Sequence, residues 1–341
     1  MFITNRQISE LLAIRAEETE GDRSRAYRRA ARAALTWADE CSALLERGES
    51  LTQLHAIGDR LAGRILAWIE DPPEVPDPPG IRQDFLTQTQ ASSAIESEQG
   101  WRDLRGDLQM HTVYSDGAVT VAEMASAGIE LGYDFIAITD HSKGLKIAGG
   151  VDEEGFARQV EEIDELNNRF QSEGIDFRVL RSMEMNLDVN GEGDMDGDVF
   201  GLFELVIGSF HSALRSTDDQ TDRYLAALNN PTVDIIGHPR GRKFNRRAGL
   251  KAEWETVLSE AADRQKALEI NSYPDRQDLN VEILARAGPG NLFSIGTDAH
   301  DPNEMLFMDF ALGAAATAGI DRERIINFWS PDQIVDWARS N

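Results

Sequence analysis

Apolar positions change their rhythm once along this chain. Over residues 5–20 they fall at Ile8, Leu11, Leu12 and Ile14, and over 24–46 at Tyr27, Ala30, Ala31, Ala34, Leu35, Trp37, Leu44 and Leu45. Spacings of three and four residues predict amphipathic helices, the second an Ala-rich helix or helix pair that Gly48 stops. The stretch LTQLHAIGDRLAGRILAWIE (51–70) predicts two short helices about a tight turn at Ile57-Gly58. Next comes DPPEVPDPPG (71–80), which holds five of the 11 prolines. It reads as a stiff extended linker and the clearest domain boundary. Residues 81–100 are polar and read as more linker or a loosely docked segment.

From 101 onward short β-rich runs alternate with helical stretches. The runs are 104–110, 135–139, 177–183, 205–209, 233–237, 267–271 and 292–296, with helix-like segments such as 119–132 and 153–170 between them. Strands followed by helices predict a parallel sheet with right-handed crossovers. The length of 101–341 suits a closed or nearly closed α/β barrel better than an open doubly wound sheet. The predicted domains are therefore a helical unit over 1–70, a Pro-rich linker over 71–100 and a barrel over 101–341. No GxGxxG or Walker-type phosphate loop follows any run, which weakens a nucleotide-cofactor reading.

Composition narrows the classes. With 341 residues, 41% hydrophobic and 28% charged, the chain is globular. A single cysteine, Cys41, excludes an intramolecular disulfide scaffold and a cysteine-based zinc site. No apolar run is long enough to cross a membrane, and the N-terminus does not read as a secretory signal, so the expectation is a soluble cytoplasmic protein with no membrane partner. Net charge is -26. Residues 1–70 carry 10 Arg against 11 acids, so the excess lies beyond them. Such a field repels phosphate polymers at long range and argues against a whole-surface nucleic-acid binder, though not against a local site where metals reverse the sign. Solubility alone also accounts for the excess.

The histidines carry the chemistry. His111, His141, His211, His238 and His300 sit at or just past the C-terminal ends of five runs, and Asp107, Asp116, Asp140, Glu184 and Asp298 fall at matching places. Strand C-termini of an α/β barrel share one face, so these side chains converge. Imidazole nitrogen and carboxylate oxygen are the ligand set of hydrolytic zinc, manganese or iron sites. Two or three such ions can activate water and clamp a phosphate ester. Unrelated surface or core histidines are the alternative for any one of them, less so for five at strand ends.

The motifs GDLQMHTVYSDG (106–117), AITDHSKGLKIAGG (137–150), SMEMN (182–186), GSFHS (208–212), IIGHPRGR (236–242), ALEINSYPDRQDLN (267–280) and SIGTDAH (294–300) resemble the PHP (polymerase and histidinol phosphatase) domain. The likeness is greatest to the version at the C-terminus of bacterial family X DNA polymerases. The resemblance implies a distorted seven-stranded (β/α) barrel with a three-metal site that hydrolyses phosphoesters. One metal would take His111, Glu184 and Asp298; a second would share Glu184 and take His211 and His238; a third would take Asp116, His141 and His300. The family opens on Asp-x-His-x-His, whereas here Gln109 stands in place of the first imidazole. An amide oxygen is a weaker, harder donor, so the first metal is expected to bind weakly or to be a harder ion such as Mn²⁺.

GHPRGRKFNRR (237–247) follows one ligand directly, and Arg240 and Arg242 are candidates to offset phosphoryl charge beside Glu184 and Asp298; a salt-bridged loop is the alternative. RAYRRAARAA (25–34) and LTQLHAIGDRLAGRI (51–65) resemble the small N-terminal domain of the same polymerases, which holds a helix-hairpin-helix. Arg25, Arg28, Arg29 and the turn at Gly58 would then touch a DNA phosphate. The turn reads Ala56-Ile57-Gly58-Asp59 rather than Gly-Ile-Gly, which should weaken that contact, and a purely structural helical unit is the alternative. No lysine precedes Lys143, so Schiff-base lyase chemistry has no amine there. The linker, 71–100, is far shorter than a polymerase palm, so the polymerising part is expected to be missing. The expected function is a metal-dependent phosphoesterase, a 3′-5′ exonuclease or repair phosphodiesterase acting on single-stranded or damaged DNA. The alternatives are a histidinol-phosphatase-like phosphomonoesterase and a non-catalytic DNA-binding scaffold.

Overall fold

Thr4 opens the first helix with a reciprocal cap: Gln7 N–H donates to its Oγ1, and Thr4 N–H donates to the Gln7 amide oxygen at 3.0 Å. In the computed structural model, which describes residues 3–97 and 99–340, this helix is α1 (Asn5–Glu17). It is followed by α2 (Gly21–Ala33), α3 (Cys41–Glu46) and α4 (Asp59–Glu70). The Ala-rich stretch is thus a helix pair. The segment expected to hold two short helices holds a single 3-10 turn, Leu51–Gln53, before α4. Ala56 turns the chain with φ 65, a left-handed conformation that glycine adopts more easily.

Residues 81–100 differ most from expectation. They carry α5 (Gln88–Glu96), which starts on a second reciprocal cap between Thr87 and Gln90. Ala91 and Ile95 on α5 are buried. The sequence looks polar because only one narrow face of this helix is covered, and small residues do the covering.

The strands and remaining helices alternate. They are β1 (Gly106–Asp107), α6 (Val121–Glu130), β2 (Phe135–Ile138), α7 (Glu153–Glu173), β3 (Arg178–Leu187) and β4 (Leu205–Phe210). Then come α8 (Thr221–Asn229), β5 (Ile235–Gly237), α9 (Trp254–Asp263), β6 (Ala267–Asn271), α10 (Val281–Leu284) and β7 (Leu292–Gly296). The chain continues through α11 (Met308–Thr317), which receives α5, and α12 (Pro331–Ser340). Among the described residues the sheet has seven strands in the order β1 to β7, each parallel to the next. It closes through Leu108 N–H to Ile295 O at 3.3 Å, Asp298 N–H to Gln109 O at 3.0 Å and His111 N–H to Ala299 O at 2.8 Å. Nearly every strand residue is buried, since helices cover the outside and side chains fill the inside. That is why the runs are continuously apolar rather than alternating. No helix among the described residues is long and apolar enough to cross a membrane.

The helical layer is fixed to the barrel. Arg82, almost fully buried, donates to Glu10 on α1 at 2.8–3.0 Å, to Glu17 at 2.5 Å and to Asn245 Oδ1 at 2.9 Å. Phe85 meets Phe244 edge to face with centroids 5.1 Å apart. Gln277 holds the Leu86 peptide from both sides, at 2.7 and 2.9 Å.

Candidate metal centre

Parallel strands deliver their C-terminal ends to one rim, and the predicted residues arrive there. His111 follows β1, His141 follows β2, Glu184 lies in β3, His211 follows β4, His238 follows β5, and Asp298 and His300 follow β7. Asp116 joins them from the loop after His111. That loop is shaped by buried Asp140, which accepts from Thr112 N–H at 2.8 Å, Thr112 Oγ1 at 2.6 Å and Ser115 N–H at 3.2 Å. Asp107 does the same for the β1–β7 seam, accepting from Thr297 N–H at 3.1 Å and Gln109 N–H at 3.2 Å. His238 (φ 23) and Asp298 (φ 56) hold left-handed backbone, strain of the kind that gathers at functional sites.

Glu184 is the hub. Its Oε1 lies 2.9 Å from His238 Nε2 and 3.3 Å from His211 Nε2. Its Oε2 lies 3.0 Å from His141 Nδ1 and 3.4 Å from His111 Nε2. Asp298 Oδ1 is 3.1 Å from His111 Nε2, and Asp116 Oδ1 is 3.3 Å from His300 Nε2 and 3.6 Å from His141 Nε2. Donor atoms within 4.8 Å of one another form three overlapping sets: His111, Asp116, His141 and His300; His141, Glu184 and His211; and His111, Glu184 and Asp298. Two orienting contacts accompany them, His211 Nδ1 with Asn186 Oδ1 at 3.2 Å and His300 Nδ1 with the Asp298 carbonyl at 2.8 Å.

Charge follows packing. Burial alone would raise Glu184, but His141 and His211 beside it hold its carboxyl well below the usual range. Burial likewise opposes Asp298, and Arg276 with His111 overrides it, keeping that carboxyl ionised. His300, despite burial, is pushed up to about 9 by Asp116 and Asp298. His111 is lowered by burial and by neighbouring His141. The buried Nδ1 atoms of His111 and His238 have no hydrogen-bond partner among the described residues. Anionic oxygens interleaved with imidazoles, two nitrogens unsatisfied, are a donor set that fits divalent cations.

Gln109 is also at the rim, one strand alternation before His111, and fully buried. Its amide end faces both oxygens of Glu269, and with the N–H₂ turned toward them, the orientation that satisfies an ionised Glu269, it donates to both, 2.9 Å to Oε2. Glu269 lies on β6 and also accepts from His238 N–H. Burial, helped by Asp298, pushes its carboxyl well above the usual range. Neither Glu269 nor Asn186 stands out in the sequence, although both lie inside quoted motifs.

The arginines differ from expectation. Arg240 donates to Asn280 Oδ1 at 2.7 Å and Ala248 O at 2.9 Å, and the Arg242 guanidinium is buried over the Phe85 ring and donates to Gln83 O at 2.7 Å. Arg242 fastens the loop after His238 to the chain preceding α5, and Arg240 ties that loop to Asn280 and to its own later residue Ala248, so both guanidinium groups are engaged away from the cluster. The arginine beside the cluster is Arg276, whose Nε is 3.2 Å from Asp298 Oδ2. Among the described residues the Arg276 guanidinium makes no other hydrogen bond. Of the arginines expected to meet DNA, Arg25 pairs with Asp22, Arg28 is exposed, and Arg29 faces a cavity that reaches the cluster. Gly58 caps α4 and lines a separate groove with Asp22, Arg29 and Asp59.

Residues 107–273 match the model of the PHP domain family. The chain is 36% identical over 269 residues to the DNA polymerase/3′-5′ exonuclease PolX of Bacillus subtilis, a match covering 77% of this chain and 46% of that protein. It therefore spans less than half the length of that relative. It is 29% identical over 247 residues to the Probable phosphatase YcdX of Escherichia coli, covering 69% of this chain and 94% of that protein. Among solved structures, a histidinol phosphate phosphatase from Lactococcus lactis aligns with a TM-score of 0.46 at 18% identity, over 64% of this chain and 95% of that one. Residues 107–273 are thus a PHP domain, and the rim it belongs to carries a donor set that fits divalent cations.

Proposed function

We propose that this chain is a metal-dependent phosphoester hydrolase that removes nucleotides from the 3′ end of single-stranded or damaged DNA. The observation that supports it is the 269-residue similarity to PolX, a protein named for a 3′-5′ exonuclease beside its polymerase. In this reading His111, Glu184 and Asp298 hold one ion, Glu184, His211 and His238 a second, and Asp116, His141 and His300 a third. When bound, such cations activate water and polarise the phosphoryl group.

The chain's own residues do the rest. Glu184 bridges two sets with one oxygen for each pair of imidazoles. Asp140 holds the loop that brings Asp116 in, and Asn186 orients His211. Arg276 keeps one edge on Asp298 and offers its remaining N–H groups to a phosphoryl oxygen as charge grows there.

The test is hydrolysis of a 5′-labelled single-stranded oligonucleotide in Mn²⁺, with His211→Ala as control. The expected result is stepwise shortening that the control lacks. A second reading, a small phosphomonoesterase, draws on the YcdX similarity, which covers 94% of that protein. Release of phosphate from small monoesters with no shortening of the oligonucleotide would favour it.

A further inference from the structure

The rim is walled on one side by the helical layer. A cavity of about 610 Å³ runs from Asp298 and His300 to α2 and the turn before α4. That size suits one small ligand unit. Arg29, Arg32, Thr36 and His55 line its helical side, and Lys243, Tyr273, Arg276 and Phe307 line its barrel side. His55, the sixth histidine, thus faces the same space as His300.

The lining has two chemistries. Tyr273 and Phe307 meet edge to face with centroids 5.5 Å apart, and the Tyr273 hydroxyl is fixed by Glu304 at 2.8 Å. The second chemistry is cationic, with Arg29 and Arg32 on the helical side and Lys243 and Arg276 on the barrel side. Buried Asp275 positions Arg32 at 3.4 Å and Lys243 at 3.6 Å. Arg29 is exposed and makes no ion pair or side-chain hydrogen bond among the described residues. In a chain of net charge -26, four cations here meet three carboxylates, Asp275, Asp298 and Glu304, and this local excess, with Arg29 unpaired among the described residues, marks a place for an anion. Cations beside an aromatic pair, next to a phosphoester-cleaving cluster, match the parts of a strand end: phosphate to arginine, base to ring.

We propose that α2 and the His55 turn form the second half of the substrate site. The cavity takes the 3′-terminal nucleotide of a single strand, its base against Tyr273 and Phe307 and its own 5′ phosphate, whose bond to the preceding 3′ oxygen is the one cleaved by water, at the cluster. Arg29 and Arg32 hold the phosphate of the preceding nucleotide. This rests on the phosphodiesterase reading above. It makes the helical unit a specificity element: a lone strand end enters the cavity, and a paired end does not.

The test is binding of a 5′-fluorescein hexathymidylate with phosphorothioate linkages to the full chain in Mn²⁺, read by anisotropy. The comparison proteins are Arg29→Ser/Arg32→Ser, Arg29→Ser alone, and Arg64→Ser, an exposed arginine of α4 outside the cavity. The double substitution is expected to raise Kd about tenfold or more, the loss of charge-assisted contacts, with Arg64→Ser close to wild type. A blunt duplex carrying the same label is expected to bind far more weakly. Arg29 supports no contact of the fold, so Arg29→Ser still reports if the double variant melts early; it should weaken binding severalfold. Unchanged binding in Arg29→Ser and the double variant, no binding by wild type, or equal binding of the duplex overturns the proposal. If wild type binds through Arg29 and Arg32 but never shortens an oligonucleotide, the exonuclease reading falls and the site stands. If it shortens the strand while the variants bind as wild type does, the site falls and the reading stands.

Discussion

Four imidazoles around one buried carboxylate need charge between them. Among the described residues Glu184 has no lysine or arginine within ion-pair distance, only His111, His141, His211 and His238. Burying a carboxylate is costly unless it is paired, so a hub ringed by imidazoles alone suits divalent cations between them. Its eight convergent residues were legible because a parallel strand exposes its C-terminal end to the rim whatever the rest of the chain does. The arginines were not legible. Charge next to a ligand says nothing of where a loop aims its side chains, and the loop after His238 aims Arg242 at the chain before α5 and Arg240 at Asn280 and Ala248. Gln109 gains a physical explanation that its type alone lacks: its N–H₂ is directed at Glu269. A histidine there could donate one ring N–H to Glu269 and turn the other nitrogen to the rim. Gln109→His is therefore expected to tighten divalent-cation binding about tenfold or more, by titration of the metal-free protein with Mn²⁺. Weaker binding would show that the amide and Glu269 are matched to each other.

At the scale of elements, the seven strand runs were plain because their sheet is covered on both faces and each run is continuously apolar. The segment from 81 to 100 was opaque for the opposite reason. Its helix α5 docks through Ala91, whose Cα would lie 2.5 Å from a Cβ added at Gly313 on α11. Small residues allow that close approach and leave little hydrophobic signal. Arg82 was opaque as well, since a lone arginine in a proline-rich stretch shows neither of its acids. It joins α1 to the barrel through Glu10, with both side chains about 3% exposed. Removing one partner leaves a buried charge without compensation, so Arg82→Ala should cost about 3–5 kcal/mol by urea unfolding. A change below about 1 kcal/mol, the range of an exposed pair, would mean that the helical layer does not depend on this contact.

Across the whole molecule, acid dominates and the cations are few and placed. A binder that coats DNA with basic surface shows a steep salt dependence. Here Arg29, Arg32 and Lys243 reach one cavity, so a single strand should meet about three phosphate contacts and give a slope near -2 in log Kobs against log salt. A slope beyond about -5 would require a larger basic surface than this cavity offers. Both halves of the molecule thereby serve one rim, the barrel with donors for cations and the helices with donors for phosphate. The claim on which all of this depends is that the cluster around Glu184 binds several ions, and metal content per chain tests it most directly. Purified protein exchanged into Mn²⁺ or Zn²⁺ is expected to retain two to three ions per chain, and Glu184→Ala, which lacks the shared carboxylate, at most one. Fewer than one ion per wild-type chain, or equal content in the two proteins, would contradict the account.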